Sequence, residues 1–360
     1  MTDFLPLTVS HVHREPNDML QVTFDVPAAS RERFRFTQGQ YLTLRATIDG
    51  TEVRRSYSIC AGVDEPLAIA IKQVDGGMFS NWAHTNLRPG VTVETQPPTG
   101  DFQVAIDPAS TRSYLCIAAG SGITPILSVM RTVLAREPHS QVTLLYGNRR
   151  SADIAFREAL CWLKNAYLTR FQWINVFTRE PQAAEILNGR IDNRKGGQLN
   201  RQLIDIRGYD EFFLCGPEGM ISEVSRGLRG QGIVEDHIHY ELFFASAEDA
   251  RRAIERHHER ARKHAGLTTD VRVRAGGREI ALELTADGQN ILDGALAAGL
   301  DLPYSCKGGI CATCKARLLE GDVEMDVNRA LSERQLDAGY ILTCQAHPVS
   351  SRVVVDFDVI

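Results

Sequence analysis

Cys306, Cys311 and Cys314 stand in a C-x4-C-x2-C array, and Cys344 follows well downstream. Four thiolates at this spacing satisfy a [2Fe–2S] cluster. The loop Ser305-Cys306-Lys307-Gly308-Gly309-Ile310-Cys311-Ala312-Thr313-Cys314 is rich in small residues. Backbone N–H groups must come close to the cluster sulfurs, and glycine removes the obstructing side chain. Structural zinc is the competing reading. Zinc ribbons usually carry two C-x2-C pairs, however, and here Cys311/Cys314 is the single such pair.

Three further groups of residues have chemistry to offer. Arg55-Ser56-Tyr57-Ser58 and Gly76-Gly77-Met78-Phe79-Ser80 each follow a strand. An Arg near a phosphate, an aromatic ring against an isoalloxazine and a hydroxyl near a reactive nitrogen would make a flavin site. Gly77 and Ser80 offer donors to a pyrophosphate at a helix start. Gly120-Ser121-Gly122-Ile123-Thr124-Pro125 occupies a strand–helix turn. It departs from G-x-G-x-x-G at the last position, yet keeps the logic of close approach and a helix N-terminus facing negative charge. A tight turn without a ligand is the other reading of these glycines. Cys215-Gly216-Pro217 ends a later strand, placing Cys215 at the carboxyl edge where ligands gather in open α/β sheets. Cys60, Cys116 and Cys161 read as packing residues.

The elements that must hold these groups change character along the chain. Residues 1–108 alternate polar and apolar positions, as in Leu20-Gln21-Val22-Thr23-Phe24-Asp25-Val26, with turns at Asp49-Gly50 and Pro89-Gly90. Period-two patterning with closely spaced turns predicts a small antiparallel β-barrel. Over residues 109–244, unalternating strands such as Tyr114-Leu115-Cys116-Ile117-Ala118-Ala119 alternate with helical stretches. That pattern predicts a parallel α/β sheet. Residues 245–268 are dense in Arg, Glu and His and read as a solvated, partly helical linker. Alternation resumes in a third domain, residues 269–360, with a helix from Ile291 to Ala298.

Bulk properties agree with a multidomain globular protein of 360 residues, 43% of them hydrophobic and 24% charged. Eight cysteines without a secretory leader or an apolar run long enough to cross a bilayer point to the cytoplasm, where clustered thiols hold metals. The formal charge of −5 argues against nucleic acid, and membrane association is not expected. Asp270 to Ile360 holds 14 acidic and 9 basic residues. Glu320, Asp322, Glu324 and Asp326 read as one exposed acidic strand face that can steer docking to a basic partner surface.

In order, R-S-Y-S, G-G-M-F-S, G-S-G-I-T-P and C-G-P-E-G-M resemble the ferredoxin–NADP reductase family over roughly Leu5 to Phe244. The segment Asp301 to Gly321, together with Cys344, resembles plant-type ferredoxins. The first resemblance implies FAD between barrel and nucleotide domain. Arg55, Ser56, Tyr57 and Ser58 match the flavin-binding tetrapeptide, and Gly77, Met78, Phe79 and Ser80 the flavin-phosphate loop. Gly120, Gly122, Thr124 and Pro125 match the nicotinamide loop, and Cys215 with Gly216 and Pro217 the region beside hydride transfer. Glu241 corresponds to a terminal-strand acid near the flavin, and Phe243 stands in the place of a stacking aromatic. The second resemblance implies an α+β (β-grasp) ferredoxin with Cys306, Cys311, Cys314 and Cys344 as iron ligands.

The whole chain is similar to the reductase subunits of bacterial phenylacetyl-CoA epoxidases, on Tyr146-Gly147-Asn148-Arg149, Asp301 through Gly309 and Val353-Val354-Val355-Asp356-Phe357-Asp358. The resemblance implies electron delivery to a di-iron oxygenase in aerobic phenylacetate degradation. Other acceptors in view are a different oxygenase, a hydroxylase or a hybrid-cluster protein. A reading of another class is a non-catalytic scaffold bearing zinc. After the strand ending at Tyr146 no acid occurs until Asp153, so NADPH is expected over NADH, with Arg149 and then Arg157 as contacts to the 2′-phosphate. A hydride carries two electrons and a [2Fe–2S] cluster takes one, so the chain must split the pair. Ser58 and Cys215 are expected to position the nicotinamide against the flavin rather than to form bonds with substrate.

Overall fold

The computed structural model describes residues 4–243 and 247–359, without the side chains of 247–252. Phe244, where the α/β domain is expected to end, lies outside the described residues.

Six strands form the first sheet: β1 (Leu5–Glu15), β2 (Met19–Asp25), β3 (Tyr41–Ile48), β4 (Thr51–Ser58), β5 (Ala68–Lys72) and β6 (Thr92–Thr95). They lie in the order β4-β3-β6-β1-β2-β5. Ile59, just past β4, bridges antiparallel to Ile69 of β5, so the end strands meet and the sheet closes. Closure leaves no row of unpaired edge amides. Leu7, Val9, Val22 and Phe24 are buried while the residues between them are not, as the alternation requires. Helix α1 (Met78–Asn86) follows β5.

The second sheet is parallel, in the order β11-β10-β7-β8-β9. Its strands are β7 (Ser113–Ala119), β8 (Gln141–Asn148), β9 (Phe171–Phe177), β10 (Glu211–Cys215) and β11 (Ile238–Glu241). The accompanying helices are α2 (Ile123–Arg136), α3 (Arg157–Ala166), α4 (Asn193–Gln202) and α5 (Glu218–Gly230). Helix α2 is buried along nearly its whole length, which explains a sequence apolar on most sides. Barrel and parallel sheet belong to one compact unit that ends at Glu241. Two hydroxyls of α2 fasten it to the barrel: Ser128 donates to the Ala61 carbonyl at 2.7 Å, and Thr132 accepts from the Val63 amide at 3.2 Å. Because the glycine turn opens α2, these bonds fix where that turn sits.

The second unit comprises the chain from Leu242 onward together with Arg54–Ser56 of β4. Helix α6 (Ala247–Lys263) precedes a five-stranded mixed sheet, β13-β12-β18-β14-β16. Here β12 is Thr268–Ala275, β13 Arg278–Thr285, β14 Lys315–Glu320, β16 Tyr340–Leu342 and β18 Arg352–Asp356; β15 (Val323–Met325) pairs separately with β17 (Ala346–Pro348). Helix α7 (Ile291–Ala297) is capped by the Asn290 side chain accepting from the Asp293 amide at 2.8 Å. Short helix α8 (Glu333–Asp337) has a reciprocal Ser332/Gln335 capping box. Only β12 and β18 run parallel within this sheet, the arrangement of a β-grasp domain. Its core of Val271, Val273, Leu292, Ala295, Val353 and Val355 also takes in Cys314 and Cys344.

The described side chains of helix α6 are mostly exposed, as its composition suggests, with Arg260 the exception. Arg260 is fully buried, its Nε donating to the Ala286 carbonyl at 2.7 Å and its Nη1 to Asp326 at 2.6 Å.

Candidate functional site

Ser58, Cys215 and Glu241 are distant in sequence and meet at one place. Ser58 closes β4, Cys215 closes β10 and Glu241 closes β11. Strands β10 and β11 pair in parallel with Cys215 opposite Glu241. The Ser58 hydroxyl donates to Glu241 Oε2 at 3.0 Å, joining the barrel to the carboxyl edge of the parallel sheet. Burial pushes the Glu241 carboxyl up to about 8, although the Ser58 hydrogen bond pulls the other way. Burial likewise holds the Cys215 thiol well above its ordinary value, with the Glu241 charge adding to the rise. A neutral thiol is a poor nucleophile, which fits positioning rather than covalent chemistry.

The glycine turns do two different things. A Cβ on Gly122 would lie 2.1 Å from the Cys215 carbonyl oxygen, so only glycine lets the turn pack on the end of β10. Gly120 has φ +55 and nothing within 4 Å of a Cβ placed there, leaving that side of the turn open. Its carbonyl accepts from the Tyr146 hydroxyl at 2.9 Å, and the Thr124 hydroxyl donates to the Ser121 carbonyl at 3.1 Å. Pro125 is buried in the first turn of α2, where its missing N–H costs no helical bond. Gly216 is wedged against Ala119 and Met220, and Pro217 caps α5.

In the barrel, Gly77 caps α1 with no side chain on the first-turn amides. Met78, Phe79 and Ser80 contribute those amides, which have no partners within the helix. Gly76, at φ +70, again shows open space, and the Ser80 hydroxyl donates to the Gly77 carbonyl at 3.3 Å. The half-buried Tyr57 ring lies 5.8 Å from buried Phe79. Arg55 is exposed on β4 and donates to the Arg54 carbonyl at 2.7 Å, with Ser56 beside it. An uncapped helix start, an open glycine turn and a ring flanked by hydroxyls are the donor set an FAD needs, so the residues fit the cofactor.

The four clustered cysteines fall into two thiol pairs, Cys306 with Cys311 and Cys314 with Cys344. The hydrogen bond from Cys311 pushes the Cys306 thiol down to about 5 against the opposing effect of burial, and the Gly308, Ile310 and Cys311 amides help. Gly308 N–H donates to the Cys306 sulfur at 3.3 Å, the Thr313 hydroxyl to the Cys311 sulfur at 3.1 Å, and Gln345 Nε2 to the Cys344 sulfur at 3.7 Å. Left-handed backbone at Lys307, Gly309 and Ala312 turns the loop's amides inward. Two pairs of cysteine sulfurs ringed by N–H and O–H donors fit two irons, each needing two protein sulfurs.

Three known families match successive parts of the chain. The oxidoreductase FAD-binding domain family matches residues 6–104, the oxidoreductase NAD-binding domain family 116–226, and the 2Fe-2S iron-sulfur cluster binding domain family 274–349. Over 99% of both chains, this one is 43% identical to a component of the 1,2-phenylacetyl-CoA epoxidase of Escherichia coli (strain K12). The chain belongs to that family of fused flavin and iron–sulfur reductases. It is 33% identical to the ferredoxin reductase component of a 3-ketosteroid-9-alpha-monooxygenase from Rhodococcus rhodochrous, covering 98% of this chain and 96% of that one. Phthalate dioxygenase reductase has the same fold, with a TM-score of 0.57 and 21% identity over 98% of both chains. An intact self-sufficient cytochrome P450 monooxygenase contains the fold too, with a TM-score of 0.70 and 20% identity; this chain covers 41% of that longer protein.

The reductase is thus an NAD(P)H-dependent oxidoreductase that carries FAD and a [2Fe–2S] cluster and passes electrons to an oxygenase. Among the described residues, no helix is long and apolar enough to cross a membrane.

The structure also places what sequence reading left loose. Arg149 lies just past β8, exposed, its Nη2 donating to Asn17 Oδ1 of the barrel at 3.3 Å and its Nε 3.9 Å from Asp153. Arg157 is exposed at the start of α3, and Phe243 lies half-buried just beyond β11. An acid missed in the local sequence comes from beyond β9. Glu180 accepts from the Ser151 amide at 2.8 Å and the Ser151 hydroxyl at 2.9 Å. Gln345 was missed as well, though its place beside Cys344 was a clue. Cys60 and Cys116 are buried as expected, but Cys161 is exposed on α3. The acidic run is not one strand face, because β14 ends at Glu320 and β15 begins at Val323. Glu320 pairs with Arg352, Glu324 with Lys263, and Asp326 with Arg260 and His347, while Asp322 is exposed between the strands.

Proposed function

We propose that this reductase draws electrons from NADPH and delivers them to the di-iron oxygenase of a cytoplasmic phenylacetyl-CoA epoxidase, in aerobic phenylacetate degradation. The observation that carries the choice of acceptor is the 43% identity to the epoxidase component along the full chain, against 33% to the ketosteroid monooxygenase reductase. Reconstitution tests it. With NADPH and the oxygenase components of the epoxidase, the protein is expected to support epoxidation of phenylacetyl-CoA. Turnover with a ketosteroid oxygenase and none with the epoxidase would reassign the acceptor.

The division of labour follows from the proposed domains, residues 1–108 for FAD, 109–244 for the nucleotide, 245–268 as connector and 269–360 for the cluster. When bound, FAD takes a hydride and the [2Fe–2S] cluster takes electrons singly. Arg55, Tyr57 and the α1 first turn hold the flavin, and the Gly120 side of the turn admits the nicotinamide nucleotide. Ser58 and Cys215 fix the approach of the two rings. Glu241 keeps a proton on its carboxyl at neutral pH, where burial has raised its affinity for it, and Ser58 Oγ is the group hydrogen-bonded to that carboxyl. Cys306, Cys311, Cys314 and Cys344 bind the irons.

Arg149 supports the NADPH reading because it stands at the carboxyl end of the second strand in chain order, where the 2′-phosphate of NADP is met in related folds. Its replacement by alanine is expected to lower kcat/KM for NADPH by about tenfold, the ~1.4 kcal/mol of one charge-assisted contact, while NADH is unaffected. Steady-state kinetics with both nucleotides measures this. An unchanged ratio would take Arg149 out of the nucleotide site.

A further inference from the structure

Residues 326–329 form a wall behind the cluster loop. The Arg329 amide donates to the Gly309 carbonyl at 2.9 Å. Gly309 has φ +74, and a Cβ there would stand 2.5 Å from the Val327 carbonyl oxygen, so loop and wall touch with no space between them. The Asp326 amide donates to the Gln345 carbonyl at 3.0 Å. Gln345 in turn sends its side-chain amide to the Lys307 carbonyl at 2.9 Å, the Cys344 carbonyl at 3.0 Å and the Cys344 sulfur at 3.7 Å. The wall therefore reaches both sides of the cluster cradle.

What fixes the wall comes from helix α6. Arg256 Nη1 donates to the Met325 and Asp326 carbonyls at 2.9 and 2.8 Å. Arg260, with no exposed surface, reaches Asp326 Oδ1 at 2.6 Å, while His347 Nε2 lies 3.2 Å from the other carboxylate oxygen. Arg260 Nη2 is buried without a partner. Burying a guanidinium is costly unless partners such as Asp326 and the Ala286 carbonyl hold it. Its retention asks for a reason beyond connecting two domains.

We propose that Arg260 is a positioning residue for the [2Fe–2S] cluster, acting through Asp326 and Gln345. By clamping Asp326 it sets the height of the wall, and with it the Gln345 hydrogen bond to a ligand sulfur. Hydrogen bonds to ligand sulfurs and nearby charge both tune cluster potential, and outer-shell partners govern how firmly the metal is held. Losing the cation leaves Asp326 unneutralised and loosens the donor to Cys344. Both effects disfavour the more negative, reduced cluster.

The test uses the holoprotein with Arg260→Met, Arg260→Lys and Asp326→Asn. Spectroelectrochemistry of Arg260→Met is expected to show the reduction equilibrium of the cluster shifted about tenfold toward the oxidised form, a fall of about 59 mV for a one-electron centre. Cluster release to a chelator should run about tenfold faster. The EPR signal of the reduced cluster should change, and Arg260→Lys should restore most of each effect. Flavin reduction by NADPH should be unaltered. If Arg260→Met lowers only the Tm, with potential, EPR and release rate as in wild type, the arginine is structural and the proposal is overturned. Asp326→Asn keeps the question open to a decision should Arg260→Met not fold. A wild-type release rate in that variant would equally overturn it.

Discussion

Exchange of Cys344 for serine is expected to abolish electron delivery to the oxygenase while flavin reduction by NADPH stays within about twofold of wild type. The reason lies in how the chemistry is divided. Cys344 pairs with Cys314 as one of the two thiol pairs, and both are buried in the core of the ferredoxin domain. A serine hydroxyl is a weaker donor to iron than a thiolate and lacks its softness. Ser58, Cys215 and Glu241, proposed to lie beside the hydride, belong to the other compact unit and keep their contacts. Stopped-flow absorption separates the steps: rapid flavin bleaching followed by no reduction of the acceptor is the expected trace. Loss of both steps together would mean that the cluster domain is needed for the flavin site itself.

Glu241→Gln is expected to slow flavin reduction by about a hundredfold and to flatten its pH dependence, the range of effect of a positioned proton donor. A hydride alone balances the reduction of a bound flavin; a proton taken up afterwards would come from Glu241, whose carboxyl holds one at neutral pH. In wild type the rate should be constant at neutral pH and fall as pH rises through about 8, where the carboxyl loses its proton. The same shift affects stability with a definite sign. The folded value exceeds the ordinary 4.5, so between 4.5 and about 8 the folded chain binds the extra proton. Stability from this group is fully present below 4.5 and declines with rising pH at up to about 1.4 kcal/mol per pH unit across that window. Glutamine removes the slope. A pH–rate profile of Glu241→Gln that still breaks near 8 would assign the proton to another group.

The array of Cys306, Cys311 and Cys314 was legible in sequence because spacing within one loop is a local property. So was the strand–helix alternation that puts Cys215 at a carboxyl edge, since parallel strands must all end there. That Ser58 would touch Glu241 was not legible. It depends on how a closed barrel packs against the second sheet, through contacts such as Ser128 on Ala61. Glu180 escaped for a similar reason, because β9 carries it beside Ser151 from a different stretch of chain. The charged helix is solvated over most of its described length, and Arg260 is the residue its composition did not reveal. Its residues look solvated in isolation, and only the ferredoxin wall supplies the carboxylate and carbonyls that let Arg260 be buried. Charge patterning reports what a helix face needs, and the fold decides whether water or protein provides it.

The central claim is that one chain carries hydride-accepting and single-electron centres in series. An absorption spectrum of the anaerobically purified protein, repeated after adding NADPH, tests it most directly. Overlapping flavin and iron–sulfur bands that both bleach, with EPR of a reduced [2Fe–2S] cluster appearing, are the predicted result. Flavin bands without a cluster, and zinc by metal analysis, would contradict it.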